Sequence, residues 1–394
     1  MKKSTLTFPP PKIAARAAIP PFLAMDVMKA ANAADRDGRD IVHMEVGEPA
    51  AASPPAVIEA AGAALRAGRT GYTEALGLPA LRTRIARFYG ERYDVEPDPA
   101  RVIVTTGSSA GFLLSFLASF DAGDKVALIE PGYPAYRRIL RTLGVEPVVM
   151  SAGPAERFQP TPALLERALA EHGRLDGLLV ASPSNPAGTM LGPAALAALS
   201  AFCAAHRMRF LSDEIYHGIT YGHTASTALA LNDEAIVINS FSKYFCMTGW
   251  RIGWLVVPET MIRPIERLAQ NFFIAPPSMA QYGALAVFDC QAELDRIVAG
   301  YAQSRALLLR ELPRAGLDRL APADGAFYLY ADVSAFTDDA GAFCSQMLEK
   351  AGVAATPGMD FDLTDGRHHV RFSFAGAPER MATAARRLKG WLRP

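Results

Sequence analysis

The chain has 394 residues and a mass of 42.2 kDa, more than the ~250–300 residues at which one hydrophobic core stops growing, so two lobes are expected. Half the residues are hydrophobic, 20% are charged, and 40 basic residues balance 40 acidic ones, which excludes a disordered chain and one drawn to nucleic acid by charge. Small molecules or other proteins are the expected partners, with no nucleic acid and no membrane among them.

Met1-Lys2-Lys3 runs into Ser4, Thr5 and prolines at 9–11 instead of an apolar run, so no secretory signal is read. Pro20-Pro21 marks an extended segment ahead of a helical stretch, Phe22–Ala34. These first 46 residues are too few for a domain and must pack on another lobe. From about 100 to 258, apolar strand-like runs alternate with helical patterns such as Pro162–Glu171 and Pro193–Ala205. The runs are Arg101–Thr105, Lys125–Glu130, Val145–Met150, Leu175–Ser182, Met208–Tyr216, Glu234–Ser240 and Arg251–Pro258. They predict an α/β lobe, a mostly parallel seven-stranded sheet sandwiched by helices. The richest apolar stretch, Ala194 to Ala205, falls well short of the ~20 residues that span a bilayer and reads as a buried helix.

Beyond 290 the rhythm changes. A long helix is predicted over 291–312, short strands at Phe327–Val333, Val353–Ala355 and His369–Phe374, and closing helices near 340–351 and 378–392. The expected division is a large lobe over 47–289 and a smaller α+β lobe made of 1–46 plus 290–394. The run Arg386-Arg387-Leu388-Lys389 reads as the solvated face of the last helix. Cys203, Cys246, Cys290 and Cys344 match no zinc-ligand spacing and no compact disulfide framework, so reduced cytoplasmic thiols are expected. The seven histidines form no ligand pattern, and no metal is expected.

Four segments carry chemistry-bearing residues at strand ends. Ser240-Phe241-Ser242-Lys243 follows an apolar strand, and a lysine in a desolvated pocket or beside other cations can attack a carbonyl. Asp213, in Ser212-Asp213-Glu214-Ile215-Tyr216, ends another strand, at the carboxyl edge where ligands of open α/β sheets bind. Ser184-Asn185-Pro186-Ala187-Gly188-Thr189 and Gly107-Ser108-Ser109 follow two more. Each also has a plain structural reading: lysines are mostly exposed, an aspartate caps helices, Asn-Pro and Gly make turns, and one serine pair is a weak phosphate signal.

Together these segments resemble the class I/II aminotransferases, enzymes of fold type I that depend on pyridoxal 5'-phosphate. The resemblance runs from roughly Ile41 to Phe374 and adds Val46-Gly47-Glu48-Pro49 and the trailing Gly249-Trp250-Arg251-Ile252-Gly253. It implies that Lys243 forms the Schiff base and shuttles the substrate Cα proton, with Asp213 on the pyridine nitrogen and Asn185 and Tyr216 on the cofactor O3′. Tyr133 would stack on the ring, and Ser108, Ser109, Ser240 and Arg251 would hold the phosphate. Tyr72 resembles the tyrosine that a neighbouring subunit contributes, which implies a homodimer. Arg371, with the Gly47 backbone, would grip the substrate carboxylate, because its fork fits a carboxylate as lysine does not. The implied activity moves an amino group between an amino acid and a 2-oxo acid. The alternative is a β-eliminating C–S lyase on the same scaffold, since both would share these residues.

Three departures matter. Cys246 stands where another small residue is usual and reads as a small buried hydrophobe. Asp362 follows Phe361 where glycine is common. Ser109 takes the place where an aspartate-using subgroup carries a lysine for the distal carboxylate, which favours a neutral, apolar or aromatic donor.

Overall fold

The computed structural model describes residues 11–393. The Met1-Lys2-Lys3 stretch read against a secretory signal lies outside them. Seven strands form the main sheet: β2 (Val102–Thr105), β3 (Lys125–Glu130), β4 (Glu146–Ser151), β5 (Gly177–Ala181), β6 (Arg209–Asp213), β7 (Ile236–Ser240) and β8 (Gly253–Val256). These are the seven expected strands, with most ends moved by one to three residues. Their order across the sheet is β2-β8-β7-β6-β5-β3-β4, and all pairings are parallel except those of β8, which runs antiparallel to β2 and β7.

Alternate side chains of each strand enter different cores. Ile103, Val126, Leu128, Leu179, Leu211, Ile236, Ile238 and Leu255 pack with Phe112, Phe116, Leu140 and Ile265 on one face. Val102, Val104, Ala127, Leu178, Val180, Phe210, Val237 and Trp254 point to the other. Burial on both faces is why these strands read as continuous apolar runs. The helix Pro193–Ala205 is present, but it buries a single stripe, Leu196, Leu199, Ser200 and Cys203. Its remaining alanines face outward, where small apolar side chains expose little surface.

Of the short strands, those at Tyr328–Asp332, Val353–Ala354 and His369–Ser373 fall where they were expected, and two more, Val42–His43 and Thr356–Pro357, escape sequence reading. β1 (Val42–His43) pairs in parallel with β10 (Val353–Ala354). β9 (Tyr328–Asp332), β11 (Thr356–Pro357) and β12 (His369–Ser373) make a three-stranded antiparallel sheet in the order β11-β12-β9. The helix Gln291–Glu311 and the last helix, Pro378–Leu392, match expectation closely. The last helix is not simply solvated along its basic run: Leu388 is fully buried, and Arg387 donates to the carbonyls of Asp40 and Gly352 and pairs with the Asp40 carboxylate. The amino-terminal helix Leu23–Arg36 packs Ala31 against Ile41 and Ala354, as a segment too short for its own core must.

Candidate active site

The carboxyl ends of β2, β5, β6 and β7 open on one edge of the sheet. Because β8 runs the other way, Arg251, which precedes it, comes to the same edge. A cavity of ≈ 270 Å³ lies there, between this edge and the β9–β12 sheet. Gly47, Ser108, Ser109, Tyr133, Asn185, Asp213, Tyr216, Lys243, Arg251 and Arg371 all line it. Ser240 does not: its hydroxyl contacts the Ile252 carbonyl at 3.1 Å and Ser242 Oγ at 2.9 Å, inside the turn beneath the cavity, and Ser242 takes the lining position. Tyr72 is 83% exposed and lies outside the cavity in this single chain.

At one end, the helix Gly107–Ser119 points its first turn into the cavity, where backbone N–H groups lack helical acceptors. Gly107 has φ +72°, and a Cβ there would stand 2.5 Å from Arg251 Nη2, so only glycine lets the guanidinium lie against the helix start. Arg251 spends one N–H on the Thr248 carbonyl and has no acidic partner among the described residues. Serine hydroxyls, free amides and an uncompensated arginine suit a phosphate dianion.

In the middle, Asp213 is buried at the end of β6. Its Oδ1 accepts the Ile215 N–H at 3.1 Å, and its Oδ2 accepts the hydroxyl of Tyr136. Burial pushes its carboxyl up to about 6, against the opposing pull of those two donors and of the Lys243 charge. Lys243 Nζ donates to the Gly47 carbonyl at 2.6 Å. Burial, with the nearby guanidinium groups of Arg371 and Arg251, pushes its ammonium down to about 8. An amine so perturbed, facing a buried acid across one cavity, can form and release an imine near neutral pH. The Tyr216 hydroxyl meets that of Tyr328 at 2.8 Å, and Tyr133 stands edge-on to Tyr136 at 5.3 Å.

At the far end, Arg371 is held between two aromatic rings, its guanidinium carbon 4.4 Å from the Tyr328 ring centre and 4.6 Å from that of Phe361. It donates to Asn185 Oδ1 at 2.9 Å and to the Glu45 carbonyl at 2.5 Å, while Nε has no acceptor among the described residues. No carboxylate pairs with it there. A buried cation with neutral partners and an unused donor is a receptor for an anion from outside. A Cβ at Gly47 would collide with the Tyr328 hydroxyl, so glycine is required at that crossing.

Sequence reasoning missed Tyr136, Tyr328, Phe22, Met25 and Phe361. Tyr136 had a local signal, one turn after Tyr133 in Tyr133-Pro134-Ala135-Tyr136; the others reach the cavity only through distant packing. The departures find their places. Cys246 is buried with its thiol pushed up to about 12 by burial, an inert packing residue. Asp362 Oδ1 accepts the N–H groups of Thr364 and Asp365 at 2.7 and 3.0 Å, closing the turn that a glycine would otherwise relax.

A doubly covered, mostly parallel sheet with a lysine, a buried aspartate, an anion-binding helix start and a free arginine at its carboxyl edge defines a fold-type I pyridoxal-phosphate enzyme. The model of the aminotransferase class I and II family matches residues 39–388. A valine–pyruvate aminotransferase of Mycobacterium tuberculosis is 49% identical over 97% of this chain and 98% of its own. A solved aminotransferase from the same organism superposes with a TM-score of 0.94 at 48% identity, covering 97% and 99% of the two chains. The aspartate aminotransferase of Thermus thermophilus, solved with maleate, gives 0.90 at 31% identity over 96% and 99%. The chain belongs to the aminotransferase class I and II family and is a pyridoxal-phosphate-dependent aminotransferase.

Proposed function

We propose that this aminotransferase takes a neutral, apolar amino acid, of the size and character of valine, as donor and a 2-oxo acid such as pyruvate as acceptor. One observation carries the reading. Among the described residues the cations lining the cavity are Lys243, Arg251 and Arg371, and each already has a task, so these leave none for a second carboxylate. Phe361 lies against Arg371, and Phe22, Met25, Val46 and Ile215 add apolar lining to the same cavity. Ser109 stands in place of a distal-carboxylate lysine, and a relative 49% identical bears the name valine–pyruvate aminotransferase.

The residue roles follow the geometry. Arg371, backed by Asn185 and the Gly47 backbone, binds the α-carboxylate and orients the Cα–H bond. Lys243 Nζ takes the proton from Cα and returns one during the reverse half of the cycle. Pyridoxal phosphate, when bound, would supply the sink for the electron pair left at Cα as the proton departs. Asp213, oriented by Tyr136, holds a proton at the ring nitrogen position, while Ser108, Ser109, Ser242, Thr248 and Arg251 retain the phosphate. Ser240 acts beneath Ser242 as its support. Tyr133 covers the ring and Tyr216 donates to the O3′ position. The closing aromatics exclude water.

The assembly is read as a cytoplasmic homodimer. Tyr72 is exposed, as are Ile58, Leu65, Phe272 and Ile274, large apolar side chains that a second copy would cover. Four unpaired cysteines, three of them buried, suit a reducing compartment. Among the described residues no helix is long and apolar enough to cross a membrane. The lobes are read as 47–289 and 1–46 plus 290–394, a division supported by the β1–β10 pairing.

The test is a donor screen of the purified holoenzyme by absorption. Valine should convert the bound cofactor to its amine form and aspartate should not. Rapid conversion by aspartate would overturn the neutral-donor reading. Sedimentation that finds a monomer at micromolar concentration would overturn the dimer.

A further inference from the structure

Glu214 and His217 adjoin the site, yet none of the roles above uses them. Both are buried. Nε2 of His217 lies 3.0 Å from the Ser182 carbonyl, a group that only accepts, so Nε2 carries the ring proton. On the ring's other side, Nδ1 meets the Tyr93 hydroxyl at 2.8 Å. Oε2 of Glu214 stands 3.4 Å from the same nitrogen and has no hydrogen-bond partner among the described residues. Its Oε1 takes three donors, Ser212 Oγ at 3.2 Å, Thr227 Oγ1 at 3.1 Å and the Ala228 N–H at 2.8 Å.

A charged imidazolium would turn Nδ1–H onto the carboxylate as a short, charge-assisted bond. Here the short contact goes to Tyr93 instead. The groups facing the pair agree with a neutral arrangement: Asp213 on β6, then Tyr89, Arg92 and Tyr93 from the helix Pro79–Tyr93, with Tyr244 behind. Among the described residues no lysine or arginine pairs with Glu214, so burial, reinforced by the Asp213 charge, pushes its carboxyl up to about 8. Burial, reinforced by Arg92, pushes His217 down to about 3.

We propose that Tyr93, His217 and Glu214 form a neutral positioning triad for substrate binding: Tyr93 donates to the imidazole, the imidazole donates to the Ser182 carbonyl, and a protonated Glu214 leaves that chain undisturbed. Ser182 opens the loop that presents Asn185, whose Oδ1 receives Arg371 Nη1. The triad thereby fixes the neutral partner of the arginine, an inference that rests on Arg371 being the carboxylate receptor. Ionised, Glu214 becomes the stronger acceptor for the Tyr93 proton. The ring then loses its donor and the Ser182 carbonyl its clamp. Because the Glu214 proton is held above its ordinary range, this loosening sets in as pH rises past about 8.

Two measurements test the triad. In nitrogen-15 spectra of the holoenzyme labelled at histidine, His217 should appear as the neutral Nε2–H form from about pH 5 to 8. An imidazolium signal at neutral pH would overturn the proposal, whatever the role of Arg371. Second, the donor KM of the wild type should rise about 5-fold above pH 8 with little change in kcat, a rise absent from Glu214→Gln, whose amide mimics the protonated acid. The titration of Lys243 falls in the same range but persists in that variant, so coincident KM profiles would overturn the role of Glu214. His217→Phe should raise KM about 10-fold, and His217→Gln, whose N–H can still reach the Ser182 carbonyl, should recover most of it. Loss of kcat at unchanged KM in both would overturn the positioning role. Should His217→Phe not fold, the spectra and the glutamine variants decide alone. A KM indifferent to Arg371→Lys would instead indict the carboxylate site itself.

Discussion

Tyr136 donates its hydroxyl hydrogen to Oδ2 of Asp213, joining two buried side chains 77 residues apart in the chain. The first comes from the start of the helix Ala135–Leu143 and the second from the end of β6. The bond favours the ionised carboxyl and opposes the burial that pushes its proton affinity up.

Tyr136→Phe should therefore weaken the cofactor's hold by about 10- to 100-fold, the range for losing a hydrogen bond to a charged group. Removal of the donor raises the Asp213 pKa above about 6, so the loss should be larger at pH 6 than at pH 8. Titration of cofactor-free protein with pyridoxal phosphate at the two pH values measures it. Equal affinity in variant and wild type would show that the hydroxyl does not orient the carboxylate.

Arg371→Lys should raise KM for the donor amino acid and for the 2-oxo acid together, by about 100-fold, because both carry the α-carboxylate and an ammonium cannot fill the forked, ring-stacked slot. Steady-state kinetics on both half-reactions checks it. A rise for one substrate alone would place the arginine on a side chain.

Lys243→Met should abolish turnover and leave a soluble protein. The same change should stabilise the cofactor-free protein near pH 7. The folded state holds the Lys243 pKa at about 8, below its ordinary 10.5. The neutral amine is thus the form that folding favours, and stability gained above pH 10.5 is lost as pH falls through about 8. A methionine escapes this, so its advantage should shrink towards pH 10. Thermal unfolding across that range tests the sign.

Asp360 ties three segments together. Its Oδ1 pairs with Arg138 at 2.9 Å, its Oδ2 accepts the Ala24 N–H at 3.3 Å, and its carbonyl takes Arg137 at 2.8 Å. Arg138 also stacks on Phe22, 4.6 Å from the ring centre. Asp360→Ala leaves a buried guanidinium unpaired and should cost about 3–5 kcal/mol. Urea unfolding measures this, and Asp360→Asn, which keeps an acceptor for Ala24, should cost less.

The seven-stranded sheet was legible because its central strands are buried on both faces and so read as largely apolar runs, while the edge strand β4 still carries Val148, Val149 and Met150. Asp213, Lys243 and Asn185 were legible for a related reason: each follows such a run within a few residues, and strand ends in parallel sheets share an edge. Tyr328 and Phe361 carry no such mark. They meet Arg371 only because β12 pairs with β9 and the 358–362 turn folds over it, contacts that no local pattern encodes. The two-residue strands β1 and β11 are too short for alternation to register. Ser240 shows the opposite failing, since the motif that named it could not say that its neighbour Ser242 would face the cavity.

The grip of Arg387 on Asp40 spans 347 positions. β1 finds its strand partner only in β10, so during synthesis the amino-terminal segment waits for the chain beyond residue 350 before it is anchored. The Phe22 wall hangs from that same amino-terminal segment. A nascent chain can therefore complete its main sheet, which ends at Val256, while the side of the chamber built from Phe22, Asp360 and Arg371 is still to be assembled.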